Sequence, residues 1–109
     1  MAQFVLLFVG RTAQPDANDD QTADYNRQWR EYMAGLAQSG ALVSGAPFEG
    51  TGKLVSRDGP SELELKDVDI GGYLLVDVDS IDAAAEIAAG APHITLGGTT
   101  IVRPCLPVG

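Results

Sequence analysis

The sequence predicts an α+β domain with core order β-α-β-β-α-β and a β-hairpin inserted between the second and third core strands. Three features carry this. Two apolar runs, FVLLFV and YLLV, have the length and composition of buried strands. The segment from Thr22 to Ser39 repeats its apolar residues at helical spacing. Between these elements lies a polar, glycine- and proline-punctuated stretch that alternates with period two.

The first strand covers Phe4 to Val9, a continuous apolar run closed by Gly10. The opening MAQFVLLFVGR lacks the basic region of a signal peptide and falls well short of the roughly 20 apolar residues of a membrane span, so it reads as buried structure. The polar TAQPDANDDQT that follows, with Pro15 and several Asx residues, predicts a surface loop, with Asp19, Asp20 or Thr22 as helix cap. In the first helix Tyr25, Trp29, Tyr32, Met33 and Leu36 fall on one face, acidic residues sit at the start and Gly40 at the stop.

ALVSGAPF predicts a short strand broken at Gly45 and Pro47. Residues 52 to 67 predict an exposed hairpin with Arg57-Asp58-Gly59-Pro60 at its turn. GGYLLVDVD is the third core strand, and Ser80 caps a second helix over IDAAAEIAAG, whose alanine-rich face permits close approach to a sheet. After GAPH, the segment TLGGTTIVRP reads as the last strand, ending at Pro104.

The chain of 109 residues is of a size for one core, so residues 1–109 are expected to form a single domain. A formal net charge of −8, from 15 acidic and 7 basic residues, opposes a phosphate-binding surface and argues against nucleic acid as a partner. Cys105 is alone and His93 is the single histidine, so neither a disulfide nor a Cys/His metal site is expected, and a reducing, cytoplasmic setting fits. The glycine pairs at 71–72 and 97–98 fall at strand starts rather than in strand-to-helix loops. They therefore predict bulges or close backbone approach instead of a phosphate cradle, and no cofactor is expected.

Right-handed crossovers would place both helices on one face of a four-stranded antiparallel sheet. The runs FVLLFV and YLLV supply apolar side chains to both faces, so the helix-free face also needs cover, and a second copy of the chain is the simplest one. A homodimer is expected, without membrane attachment.

The chain resembles the YCII-related domain proteins, whose larger branch takes its name from an Asp-Gly-Pro-Phe motif. The resemblance rests on LAQSGALVSGAPFEG, on Asp58-Gly59-Pro60, on GGYLLVDVDSIDAAAEIA and on GAPHITLGGTTIVRP, in family order and over nearly the whole chain. It implies a ferredoxin-like fold of the dimeric α+β barrel group and enzymes acting on small organic molecules. It also implies a histidine and an aspartate acting as a pair. Ser61 stands where the family has its aromatic residue, so no role of that residue carries over.

His93 is the first candidate for chemistry, because an imidazole exchanges a proton near neutral pH; packing of the loop after Pro92 is the structural alternative. Asp58 is a candidate partner that would orient it, although Asp-Gly also suits a hairpin turn by backbone geometry alone. Asp77 and Asp79 are rival carboxylates. Arg11 and Arg103, at strand ends, could hold a carboxylate or phenolate or simply solubilise those ends. Tyr25, Trp29 and Tyr32 could wall an aromatic pocket under the first helix, a spacing that plain core packing also produces. Ser44, Ser61 and Cys105 lack the surroundings of a nucleophile.

Two functions are consistent with these residues. One is a cofactor-independent small-molecule enzyme with His93 as general acid/base, acting by elimination or isomerisation on an aromatic or enolisable substrate. The other is a non-catalytic dimeric module that binds a small ligand or a partner protein.

Overall fold

The computed structural model describes residues 2–10, 18–49, 52–63 and 70–107. Strands β1 (Ala2–Val9), β2 (Leu42–Pro47), β5 (Ile70–Val78) and β6 (Thr99–Pro104) form one antiparallel sheet in the order β2-β5-β1-β6. Helix α1 (Asp19–Ser39) follows β1 and helix α2 (Ile81–Ala89) follows β5. Each helix connects two strands that flank a third, the ferredoxin-like arrangement expected from the order of elements. Strands β3 (Lys53–Ser56) and β4 (Gly59–Glu62) pair only with each other, as an inserted hairpin.

Strand alternation divides the sheet into two faces. Phe4, Leu6 and Phe8 of β1 and Leu74 and Val76 of β5 are buried under the helices, where Leu36, Ala84 and Ala88 pack on them. The opposite face carries Val5 and Leu7, paired with Leu75 and Tyr73 on one side and with Arg103 and Ile101 on the other. Ala84 is wholly buried, so the alanine face of α2 brings the helix close to the sheet as its small side chains predict.

Helix α1 begins three residues before the predicted Thr22. Its cap is Asn18 rather than Asp19, Asp20 or Thr22: the Asn18 side chain accepts from the Gln21 N–H at 2.8 Å, and the Gln21 side chain accepts from the Asn18 N–H at 2.9 Å. The reciprocal pair satisfies two helix-start groups at once, which a lone carboxylate at 19 or 20 would not. Gly40 ends the helix with φ of 80°, as expected. In α2, Ser80 caps Ala83 N–H at 3.1 Å, also as expected.

Other boundaries differ. Strand β2 continues through Gly45 to Pro47 because it is an edge strand, where proline's missing donor costs no ladder bond; its irregularity is a bulge between Leu42 and Ser44. The hairpin turns on Arg57-Asp58 alone, with Gly59 at φ of 107°, and Pro60 stands in β4 opposite Val55. The 64–67 part of the predicted hairpin, and the 12–17 part of the predicted loop, lie outside the described residues. Residues Pro92–Leu96 form a 3₁₀ helix, so the last strand starts at Thr99 rather than at Thr95. Pro92 supplies the fixed φ for the first turn, Thr95 donates its hydroxyl to the Pro92 carbonyl at 2.8 Å, and Gly97 closes the turn at φ of 87°.

Candidate functional site

The inner stripe of α1 faces the sheet with Tyr25, Trp29 and Met33, while the strand ends below it carry Gly45, Ala46, Gly71 and Gly72. Side chains this small cannot fill the space under the helix, and a cavity of about 610 Å³ results. Gly72 has no freedom to become larger, since a Cβ there would stand 2.9 Å from the Ala46 carbonyl oxygen and 3.2 Å from Pro47 Cα. The cavity's walls under the helix are Phe8, Tyr25, Trp29 and Met33, and Phe48 and Tyr73 line it from the β2 end, Tyr73 being paired with Leu7 on the other face of the sheet. Volume and lining fall in the range of small-molecule sites.

The polar groups of this cavity are few. Tyr25 is 8% exposed and its hydroxyl has no hydrogen-bond partner among the described residues. Burial holds this phenol above the ordinary tyrosine range, and an interaction with the Trp29 indole, not aligned as a hydrogen bond, opposes that in part. Arg30 is the one charged side chain among the described lining residues, with Asn26 one helical turn before it. Tyr32, by contrast, is tied down: its hydroxyl donates to the Ile87 carbonyl at 2.6 Å, and burial pushes its phenol up to about 12.

His93 lies behind the aromatic wall. It is completely buried on the helix face of the sheet, stacked on Trp29 at 5.9 Å between ring centroids and edge-on to Phe8 at 5.0 Å. Its Nε2 is 2.8 Å from the Thr99 carbonyl oxygen and 3.2 Å from Thr100 Oγ1. A carbonyl only accepts, so Nε2 carries the hydrogen. In the neutral ring Nδ1 is then a bare lone pair, buried and without a partner among the described residues. Gly98 presses the ring into place, because any Cβ there would stand 2.5 Å from His93 Cδ2.

The other predicted site residues are scattered. Asp58 is exposed in the hairpin turn, where its N–H donates to Ser56 Oγ at 3.3 Å, and it makes no pair with His93 within one chain. The turn geometry that favours Asp-Gly accounts for it. Asp77, opposite Gln3, lies on the helix-free face, away from the imidazole, with one buried oxygen unpaired among the described residues. Asp79 is exposed. Arg103 pairs with Val5 on the helix-free face, so it is not part of the cavity, and Arg11 lies outside the described residues. Tyr25 and Trp29 do line the cavity.

Sequence reasoning missed Arg30, Phe48 and Tyr73. Arg30 follows Trp29 directly and borders the apolar stripe, a position that in sequence is the same as a solvated helix flank. Phe48, directly after β2, and Tyr73 of β5 meet at 6.2 Å between ring centroids, a contact the pairing of β2 with β5 creates.

A family model for the YCII-related domain matches residues 3–107. No curated protein matches the chain in sequence. Among solved structures, the chain is similar to the 5-chloro-2-hydroxyhydroquinone dehydrochlorinase of Burkholderia phenoliruptrix AC1100 in complex with 2,5-dihydroxybenzoquinone. The TM-score is 0.60 at 18% identity, with 98% of this chain and 95% of that chain covered. At this identity the likeness shows the fold, which the two chains share over nearly their whole lengths. No helix among the described residues is long and apolar enough to cross a membrane.

Proposed function

The chain belongs to the YCII-related domain family, and from that premise we propose that it is a cofactor-independent small-molecule enzyme taking ring-shaped, enolisable substrates into the cavity under α1. The observation that carries the reading is the aromatic-walled cavity of about 610 Å³. The complex of the structurally similar dehydrochlorinase with a dihydroxybenzoquinone supports a substrate of that size.

His93 is the proton carrier in this reading. With Nε2–H held by the Thr99 carbonyl, Nδ1 is the basic atom. It takes a proton from an acidified position of the substrate, and the electron pair enters the adjacent conjugated system. That pair then either expels a leaving group, which is elimination, or is reprotonated elsewhere by the imidazolium, which is isomerisation. Trp29 and Phe8 stand between the imidazole and the cavity, so transfer requires one of these rings to turn aside when substrate binds. The placement of His93 behind the wall favours the second reading, a module that binds such compounds without converting them.

Proton exchange separates the two. In D₂O the protein should accelerate exchange of the ring hydrogens of 2,5-dihydroxybenzoquinone, followed by NMR, and His93→Gln should return the rate to background. Binding without acceleration would select the module. Acceleration that survives His93→Gln would overturn the role of His93.

We infer further that the active form is a homodimer built on the helix-free face. Val5, Leu7, Tyr73, Leu75 and Ile101 lie side by side there, and Ile101 is 42% exposed in the single chain.

A further inference from the structure

We propose that Arg30 and Tyr25 make the cavity selective for ring compounds bearing an anionic oxygen, whether phenolate, enolate or carboxylate. The proposal rests on the reading of the cavity as a ring-binding site and names the chemistry it selects.

Charge is the first argument. The chain as a whole is strongly acidic, at a formal −8, and its general field repels anions. An anionic ligand therefore needs a local cation, and Arg30 is the one charged side chain among the described lining residues. Both Arg30 and Arg27 are exposed, but Arg30 makes no ion pair among the described residues, whereas Arg27, three residues earlier, is engaged by Asp24 and Glu31. The guanidinium fork is thus free to meet a carboxylate with two parallel hydrogen bonds or a phenolate with one. Asn26, one turn earlier on the same flank of α1, adds an amide at the same rim.

Tyr25 is the second argument, independent of charge. A buried hydroxyl without a partner among the described residues forgoes a hydrogen bond, and here it belongs to a residue that also lines the cavity. An acceptor oxygen on a bound ring restores that bond. A phenol is protonated at neutral pH and burial shifts Tyr25 further in that direction, so Tyr25 meets the ligand as a donor, which suits an anionic oxygen best. Beside Arg30 and Tyr25, the described lining under the helix offers side-chain donors only from Asn26 and the Trp29 indole. A neutral ring would fill the cavity but leave Arg30 unused and gain little from Tyr25.

Trp29 is the single tryptophan and stands in the cavity wall, so its fluorescence reports occupancy directly. The probes are 4-nitrobenzoate and its neutral isostere 4-nitrobenzamide, whose nitro groups quench indole emission. The full chain should bind the carboxylate about tenfold more tightly than the amide. Arg30→Gln should bring the two affinities to within about twofold of each other. Arg27→Gln removes the same charge from the same helix outside the cavity and should leave the preference intact. Tyr25→Phe, isosteric apart from the hydroxyl, should weaken the carboxylate several-fold more than the amide. Equal binding of both probes by the wild type, or a preference unchanged by Arg30→Gln, would overturn the proposal while leaving ring binding in place. Absence of quenching by either probe would reject the ring-binding site itself, and the proposal with it.

Discussion

Adding one methyl group at Gly98 tests how the buried imidazole is held. The new Cβ would stand 2.5 Å from His93 Cδ2, 3.1 Å from the His93 carbonyl oxygen and 3.1 Å from the Val9 carbonyl oxygen. Carbon atoms rest about 3.5–4.0 Å apart, so the ring must retreat by roughly 1 Å or more. It has little room to do so, with Trp29 stacked on it and Phe8 against its edge. Cδ2 is bonded to Nε2, so the same motion pulls at the 2.8 Å bond to the Thr99 carbonyl. Overpacking costs about 1–3 kcal/mol, and a weakened buried hydrogen bond adds about 1 kcal/mol, so Gly98→Ala should destabilise the fold by about 2–4 kcal/mol. For a chain of this size that is roughly 10–25 °C in Tm.

Urea unfolding followed by Trp29 emission gives the energy, and the imidazole NMR signals, which belong to the single histidine, report the ring. Gly97→Ala is the control. Gly97 has φ of 87° and open space at its Cβ position, so its variant should lose about 1–2 kcal/mol through backbone strain without moving the imidazole. A Gly98→Ala protein within about 0.5 kcal/mol of wild type, with unchanged imidazole signals, would refute the reasoning.

Three further outcomes are expected. Light scattering at micromolar concentration should give twice the chain mass, and Ile101→Glu, which puts a charge into the helix-free face at a position 42% exposed in the single chain, should give the monomer; a monomeric wild type would reject the dimer. Tyr32→Phe removes the bond to the Ile87 carbonyl and should cost about 1 kcal/mol. Because Tyr32 is held up to about 12 in the fold against an ordinary 10.0, its stabilisation is complete below pH 10 and is lost as pH rises from 10 towards 12. Tyr32→Phe should therefore flatten that alkaline decline, measured as urea stability against pH, leaving the share due to Tyr25, which burial shifts in the same direction. Asn18→Ala removes the side-chain half of the α1 cap, leaving the backbone N–H that donates to Gln21, and should cost about 1 kcal/mol by the same urea measurement, while Asn18→Asp should retain most of the stability.

Much of the fold was legible because it rests on short-range rules. Helical spacing placed Tyr25, Trp29 and Leu36 on one face of α1, and the buried positions of β1 and β5 follow strict alternation. Boundaries failed where a nonlocal or competing local interaction decided. Pro47 stayed in a strand because β2 is at the edge of the sheet, and Thr95 left the last strand because Pro92, Thr95 and Gly97 close a 3₁₀ turn. Within one chain Asp58 and His93 lie apart for the same kind of reason. The order of elements cannot say that one residue ends in a free hairpin turn and the other beneath an aromatic wall.

The sequence by itself determined the α+β order, the inward stripe of α1, both helix stops and the presence of a single imidazole, since propensity, periodicity and composition are properties of neighbouring residues. Only the tertiary structure decided that Gly45, Gly71 and Gly72 leave a void beneath Tyr25 and Trp29. Only it decided that Arg30 borders this void while Arg103 lies across the sheet, and that His93 stacks behind the wall with Nε2 fixed and Nδ1 bare. The physical reason is that a cavity is a property of what side chains fail to fill, and that depends on which strands become neighbours.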